Sequence, residues 1–130
     1  MNIEIVEGRY AVCRLDDPSG VAEVFWHTDG PVFVAKSHEE VSLICRSDDV
    51  PGSAAQVEDG WAMMRLPDPL DFALVGVIAR ITAILSEAQI PVVVASTYLT
   101  DYILVKTDRL SEAAMALRSG EFSVVLARRR

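Results

Sequence analysis

The stretch from Gly60 to Lys106 decides the fold. It reads Gly60–Leu66 (GWAMMRL), Pro67-Asp68-Pro69, Phe72–Ala88 (FALVGVIARITAILSEA), Pro91–Thr97 (PVVVAST) and Tyr102–Lys106 (YILVK). Trp61–Leu66 has strand character, and the Pro-Asp-Pro turn ends it. From about Ala73 to Ala88, Leu74, Ile78, Ile81 and Leu85 recur at spacings of four, three and four, with Val77, Ile84 and Ala88 widening the stripe. That is the one-sided pattern of a helix laid on a sheet. Val92–Ala95 and Tyr102–Lys106, joined through Tyr98-Leu99-Thr100-Asp101, read as a hairpin, with Pro91 at the strand entrance, where no ladder donor is needed.

Working outward toward the C-terminus, Leu110, Ala113, Ala114 and Leu117 predict a second helix. Arg118 stands near its negative end, and Gly120 is where a left-handed cap belongs. Phe122–Ala127 is the last strand. Strand, helix, strand, strand, helix, strand is the βαββαβ plan of ferredoxin-like units, an antiparallel sheet with both helices on one face.

The N-terminal half follows the plan less completely. Ile3–Leu15 holds two apolar stretches around Gly8, and Asp16–Gly20 is a turn. Val21, Val24 and Phe25 have the spacing of a short buried helix face that stops at His27–Pro31. Val32–Lys36 and Val41–Cys45, separated by Ser37–Glu40, predict a hairpin. Ser47–Asp59 shows no period and reads as a loop. The expected architecture is therefore α+β, two ferredoxin-like units with the first degenerate, over residues 1–58 and 59–130.

Half of the 130 residues are apolar and the net charge is −7. A surface for nucleic acid needs clustered Lys and Arg, so nucleic acid is not an expected partner. Arg128-Arg129-Arg130 reads as a solvated tail. The apolar run Phe72–Leu85 is broken by Arg80 and falls short of the ~20 residues of a membrane span. The acidic start MNIEIVEGRY is unlike a signal peptide, which leads to the expectation of a cytoplasmic protein. Cys13 and Cys45 lie in strand-like runs with no Cys-x-x-Cys pair and read as two buried thiols, close together if their strands are neighbours.

Leu74-Val75-Gly76-Val77-Ile78-Ala79-Arg80-Ile81, paired with Ser96-Thr97-Tyr98-Leu99-Thr100-Asp101-Tyr102-Ile103-Leu104-Val105, resembles the ACT domain family. The resemblance is to the branch of small bacterial tandem-ACT proteins related to the CASTOR arginine sensors. It covers Trp61–Ala127 strongly and Tyr10–Ser47 weakly. It implies an amino acid held at the edge between two ACT units, where the loop into the first helix meets the start of the third strand. The implied ligand-binding residues are Phe72, Leu74, Val75, Gly76, Val77 and Ile78 on the loop side and Ser96, Tyr98, Leu99, Thr100 and Asp101 on the strand side.

The chemistry of those residues fits a zwitterion. Gly76 near a helix start leaves N–H groups to receive a carboxylate, aided by the helix dipole. Asp101 offers an acceptor for an ammonium group, and Thr100 and Ser96 add neutral hydrogen bonds. Each also has a structural reading: Gly76 as a close-packing residue, Asp101 as a turn residue, Tyr98 as cover for a sheet edge. The arginine-sensing branch implies an acidic residue two positions before the glycine. Leu74 stands there, which favours a small or apolar amino acid.

No catalytic constellation, metal cluster or cofactor motif emerges. His27 and His38 share no spacing, and the doublets Asp16-Asp17 and Asp48-Asp49 lack the alternation of a calcium loop. Trp26 and Trp61 border apolar segments and read as core or interface anchors. The expected function is a regulatory module that binds an amino acid without catalysis, as a homodimer joined through ACT sheet edges. The alternative is a structural or protein-interaction domain of the same fold that has lost its ligand.

Overall fold

The computed structural model describes residues 1–67 and 76–127. The chain divides into two compact units, one formed by residues 8–61 and the other by 1–7 with 62–130. By this division the first seven residues group with the second half, and the units meet at 61/62. The cause is visible in two strands longer than their patterns suggested. β1 (Asn2–Leu15) and β4 (Gln56–Arg65) each run through a glycine, Gly8 and Gly60, at φ 113° and 86°. Only glycine takes such angles freely, so an apparent interruption in sequence is a kink within a strand. It also makes Gln56–Asp59 strand, where the composition reads as loop.

In the first unit, α1 (Val21–His27) is followed by β2 (Phe33–Lys36), β3 (Val41–Arg46) and a single 3-10 turn at Ser47–Asp49. The strand order is β2-β3-β1-β4. β3 pairs antiparallel with β1, from Tyr10↔Arg46 to Leu15↔Val41, and with β2, from Phe33↔Ile44 to Lys36↔Val41. The core is small: Ala11, Cys13, Leu15, Val24, Leu43 and Cys45. Of the expected helix face only Val24 is buried; Phe25 and Trp26 are 52% and 75% exposed and stack edge to face at 4.9 Å. Trp26 is thus no core anchor, whereas Trp61 is buried.

In the second unit β4 leads to α2 (Val77–Glu87), β5 (Val93–Ser96), β6 (Asp101–Lys106), a 3-10 turn at Thr107–Arg109, α3 (Leu110–Ser119) and β7 (Ser123–Leu126). This is the expected βαββαβ order. The start of β1 pairs parallel with β7, Asn2↔Ser123 to Ile5↔Leu126, a pairing outside the all-antiparallel expectation. Ile81 and Leu85 of α2 and Ala113, Ala114 and Leu117 of α3 enter one core with Met64, Leu66, Ile103 and Val105, so both helices cover the same face.

Both helices end with the same device. Ile90 N–H donates to the Leu85 carbonyl and Phe122 N–H to the Leu117 carbonyl, each 3.0 Å, and both residues are buried. This six-to-one closure with its apolar contact is a Schellman motif. Its left-handed residues are Gln89 (φ 60°) and Glu121 (φ 72°), not Gly120, which has φ −86°. Gly120 instead leaves room for Ile84: a Cβ there would lie 2.4 Å from Ile84 Cδ1, so that side chain would have to shift. Glu121→Gly relieves the left-handed strain and is expected to stabilise the protein by about 1 kcal/mol, seen as a higher urea midpoint.

The units share a register that sequence reading missed. β2, β3 and the first 3-10 turn recur as β5, β6 and the second turn, every boundary 60 residues later: 33–36 and 93–96, 41–46 and 101–106, 47–49 and 107–109. The signal was present as Pro31-Val32-Phe33-Val34-Ala35 against Pro91-Val92-Val93-Val94-Ala95. α1 and α2 also start alike, from left-handed Gly20 (φ 85°) and Gly76 (φ 81°). The first unit has no counterpart of α3.

Candidate functional site

Of the expected site residues, Phe72, Leu74 and Val75 lie outside the described residues, and the others fall in the second unit. Gly76 is the left-handed N-cap of α2. Among the described residues no side chain caps the helix, its first turn contains no acidic residue, and a Cβ on Gly76 would meet nothing within 4 Å. The positive φ of Gly76 is what calls for glycine there; no close neighbour among the described residues does. An uncapped helix start carries unsatisfied N–H groups and the positive end of the dipole. Val77 and Ile78 are half-buried and pack on the core, so their backbone rather than their side chains faces that end.

On the strand side, Ser96 and Asp101 are register partners at the mouth of the β5–β6 hairpin. Ser96 Oγ donates to Asp101 Oδ1 at 2.6 Å. The other carboxylate oxygen has no partner among the described residues. Thr97 N–H donates to the Thr100 carbonyl at 2.9 Å and closes the turn. Tyr98 and Leu99 form its tip, 83% and 50% exposed.

Thr100 plays another part. It is buried, and its hydroxyl donates to the Leu66 carbonyl at 3.0 Å, while Leu66 N–H donates to the Asp101 carbonyl at 3.1 Å. The hairpin is thereby fastened to the end of β4, the strand that leads toward α2. Thr100→Val keeps the shape, loses the donor, and is expected to cost about 1–3 kcal/mol in urea unfolding, the usual loss for a buried hydrogen bond.

Two hollows lie elsewhere. A groove of about 650 Å³ runs beside α2, past Ala79, Ala83, Ser86 and Pro91, and takes in none of the expected residues. In the first unit a cavity of about 410 Å³ is lined by Gly20, Glu23, His27, Thr28, Asp49 and Ser53, with Thr28 Oγ1 donating to Asp49 Oδ2 at 2.6 Å. Among the described residues no group of three or more His, Cys, Asp or Glu side chains is arranged to hold a metal ion. Nor is any helix there long and apolar enough to cross a membrane.

This is an α+β fold of the ACT, ferredoxin-like type, an antiparallel sheet covered on one face by helices. Residues 56–119 match the family model of the ACT domain. Among solved structures, the protein Atu0741 of Agobacterium tumefaciens is similar at 25% identity and a TM-score of 0.84, covering 99% of this chain and 95% of that one. A Vibrio cholerae protein, VC0802, described as of unknown function and a possible transport protein, aligns at 21% identity and a TM-score of 0.70, over 91% and 88%. The ligand-free regulatory subunit of aspartate kinase from Thermus thermophilus shares the fold at 10% identity and a TM-score of 0.62, over 92% and 97%. A comparison with curated protein sequences finds no match.

Proposed function

We propose that the chain is a non-catalytic regulatory module of tandem-ACT type that binds a free amino acid at the start of α2 and the mouth of the β5–β6 hairpin. The observation that carries this reading is the helix start at Gly76, which among the described residues has no side-chain cap, no acidic residue in its first turn and no atom within 4 Å of where a Cβ would stand, a receptor for a carboxylate. Asp101, with one oxygen already oriented by Ser96, takes the ammonium group. Leu74 favours a small or apolar side chain over arginine. The ACT match over residues 56–119 supports a small-molecule module, and the same reading makes the protein a cytoplasmic homodimer joined through sheet edges, which light scattering checks.

Protein stripped of carried-over ligand by unfolding and refolding is expected to melt higher with at least one of the twenty amino acids. At ~100 times the dissociation constant the gain is ~2.7 kcal/mol. Asp101→Asn abolishes the gain without lowering the melting temperature of the free protein. One observation favours a second reading, a protein-interaction domain that has lost its ligand: Ser96 and Thr100 are already hydrogen-bonded within the unit. That reading predicts no response to any amino acid and unchanged assembly in Asp101→Asn.

A further inference from the structure

The two hairpins close their turns alike. Ser37 N–H donates to the Glu40 carbonyl and Thr97 N–H to the Thr100 carbonyl, each at 2.9 Å, and the flanking pairs Lys36↔Val41 and Ser96↔Asp101 share one register. Three matched positions differ in kind: Lys36, Glu40 and Val41 in the first unit stand where the second has Ser96, Thr100 and Asp101. Glu40 is exposed, and its carboxylate accepts from Ser42 Oγ of its own hairpin at 3.0 Å. Thr100 is buried and aims its hydroxyl out of its hairpin, at the Leu66 carbonyl. A turn that closes equally well with an exposed glutamate in that place does not require the hydroxyl, so the hydroxyl serves something that only the second hairpin has.

Leu66 is what it reaches. The Leu66 carbonyl accepts from Thr100 Oγ1 at 3.0 Å, with the Pro67 carbonyl 3.4 Å from the same hydroxyl, and Leu66 N–H donates to the Asp101 carbonyl at 3.1 Å. Both polar groups of the Leu66 main chain are thus held by the adjacent pair Thr100-Asp101. The Leu66 side chain shares a core with Ile81 and Leu85 of α2. Asp101 is the ammonium receptor of the site proposed above, and the start of α2 is its carboxylate receptor. The bond from Thr100 therefore ties the residue that carries one receptor to the strand end that shares a core with the helix carrying the other. A zwitterion meets both receptors together, and a site keeps such a pair within ~0.5 Å of the productive geometry through supporting hydrogen bonds.

We infer that Thr100 is a positioning residue of the amino-acid site, an inference that rests on that site. Acting through Leu66 rather than by touching the ligand, it fixes Asp101 relative to the start of α2.

The test is calorimetric titration of the full chain, refolded free of carried-over ligand, with each of the twenty amino acids in turn. The temperature is one at which circular dichroism shows every variant folded. The parent protein binds at least one amino acid. For that amino acid Thr100→Val raises the dissociation constant about 10- to 100-fold, the weakening of one charge-assisted hydrogen bond. Thr100→Ser, which keeps the donor, stays close to the parent. Val124→Ala, a truncation of the same core on β7, lowers stability and leaves the dissociation constant unchanged, which separates positioning from stability. If Thr100→Val does not fold, Thr100→Cys takes its place, its thiol being a weak donor. A parent protein that binds none of the twenty overturns the amino-acid site and the role of Thr100 with it. Binding by the parent that Thr100→Val or Thr100→Cys leaves unchanged overturns the role of Thr100 alone. So does a loss shared equally by Thr100→Ser or Val124→Ala, because the effect then does not follow the hydroxyl.

Discussion

Replacing Leu43 by alanine is expected to destabilise the first unit by about 3–5 kcal/mol, the upper part of the range for burying a cavity in place of leucine. The reason is the size of that core. Its buried members are Ala11, Cys13, Leu15, Val24, Leu43 and Cys45, of which only Leu15, Val24 and Leu43 exceed cysteine in volume. A unit spanning residues 8–61 has a high surface-to-volume ratio and little reserve. Leu43 lies on β3, flanked by β1 and β2, which gives the emptied space little room to collapse. Leu43→Met, which conserves volume, costs less than about 1.5 kcal/mol. Urea unfolding of the two variants separates cavity from chemistry. Equal losses in both would place the cost outside the packing.

The stability of the protein is expected to fall as the pH rises above 9, because of Cys45. Burial, with smaller contributions from Cys13 and Asp49, pushes its thiol up from 9.0 to about 12. Burial also raises Cys13, against a hydrogen bond in which the Cys45 thiol donates to the Cys13 sulfur. A group whose value is higher in the folded chain stabilises below its unfolded value, here pH 9, and that contribution is lost as the pH climbs toward 12. The urea midpoint should decline across this window, and the decline should flatten in Cys45→Ala. Near pH 8 both thiols should resist a disulfide reagent until the chain is unfolded.

These two cysteines also resist joining each other. The register pairs Ala11 with Cys45 and Cys13 with Leu43, so the thiols are diagonal neighbours. Diagonal positions on adjacent strands lie ~7–8 Å apart, beyond the ~4.4–6.8 Å between Cα atoms that a disulfide spans. Sequence reading placed both thiols in the interior but could not supply the strand pairing that brings them together without bonding them.

The same distinction between local and distant information runs through the molecule. α2, α3 and the two hairpins were legible because Ile81, Leu85, Ala113 and Leu117 repeat at the period of a helix and the β-branched runs are separated by turn chemistry. Gly8 and Gly60 were misleading, since a glycine that kinks a strand and one that ends it look alike in composition. Gly120 and Glu121 exchanged roles because the left-handed position falls one residue after the glycine, which instead leaves room for Ile84 of another helix. Phe25 had the spacing of a buried residue, yet α1 is only two turns long and turns that side outward.

In the candidate site, Gly76 near a helix start and Asp101 in a turn were readable from local chemistry, whereas the hydrogen bond from Ser96 to Asp101 was not. The inward hydroxyl of Thr100 was not, because its acceptor lies 34 residues earlier in the chain.

The constant interval of 60 residues gives the protein an unusual experimental property: each substitution in residues 31–49 has a matched twin in residues 91–109 of the same molecule. Val34 and Val94, or Ala35 and Ala95, occupy equivalent strand positions with different histories around them. Exchanging the two segments as cassettes would ask how far a strand hairpin carries its own instructions and how far it takes them from its host.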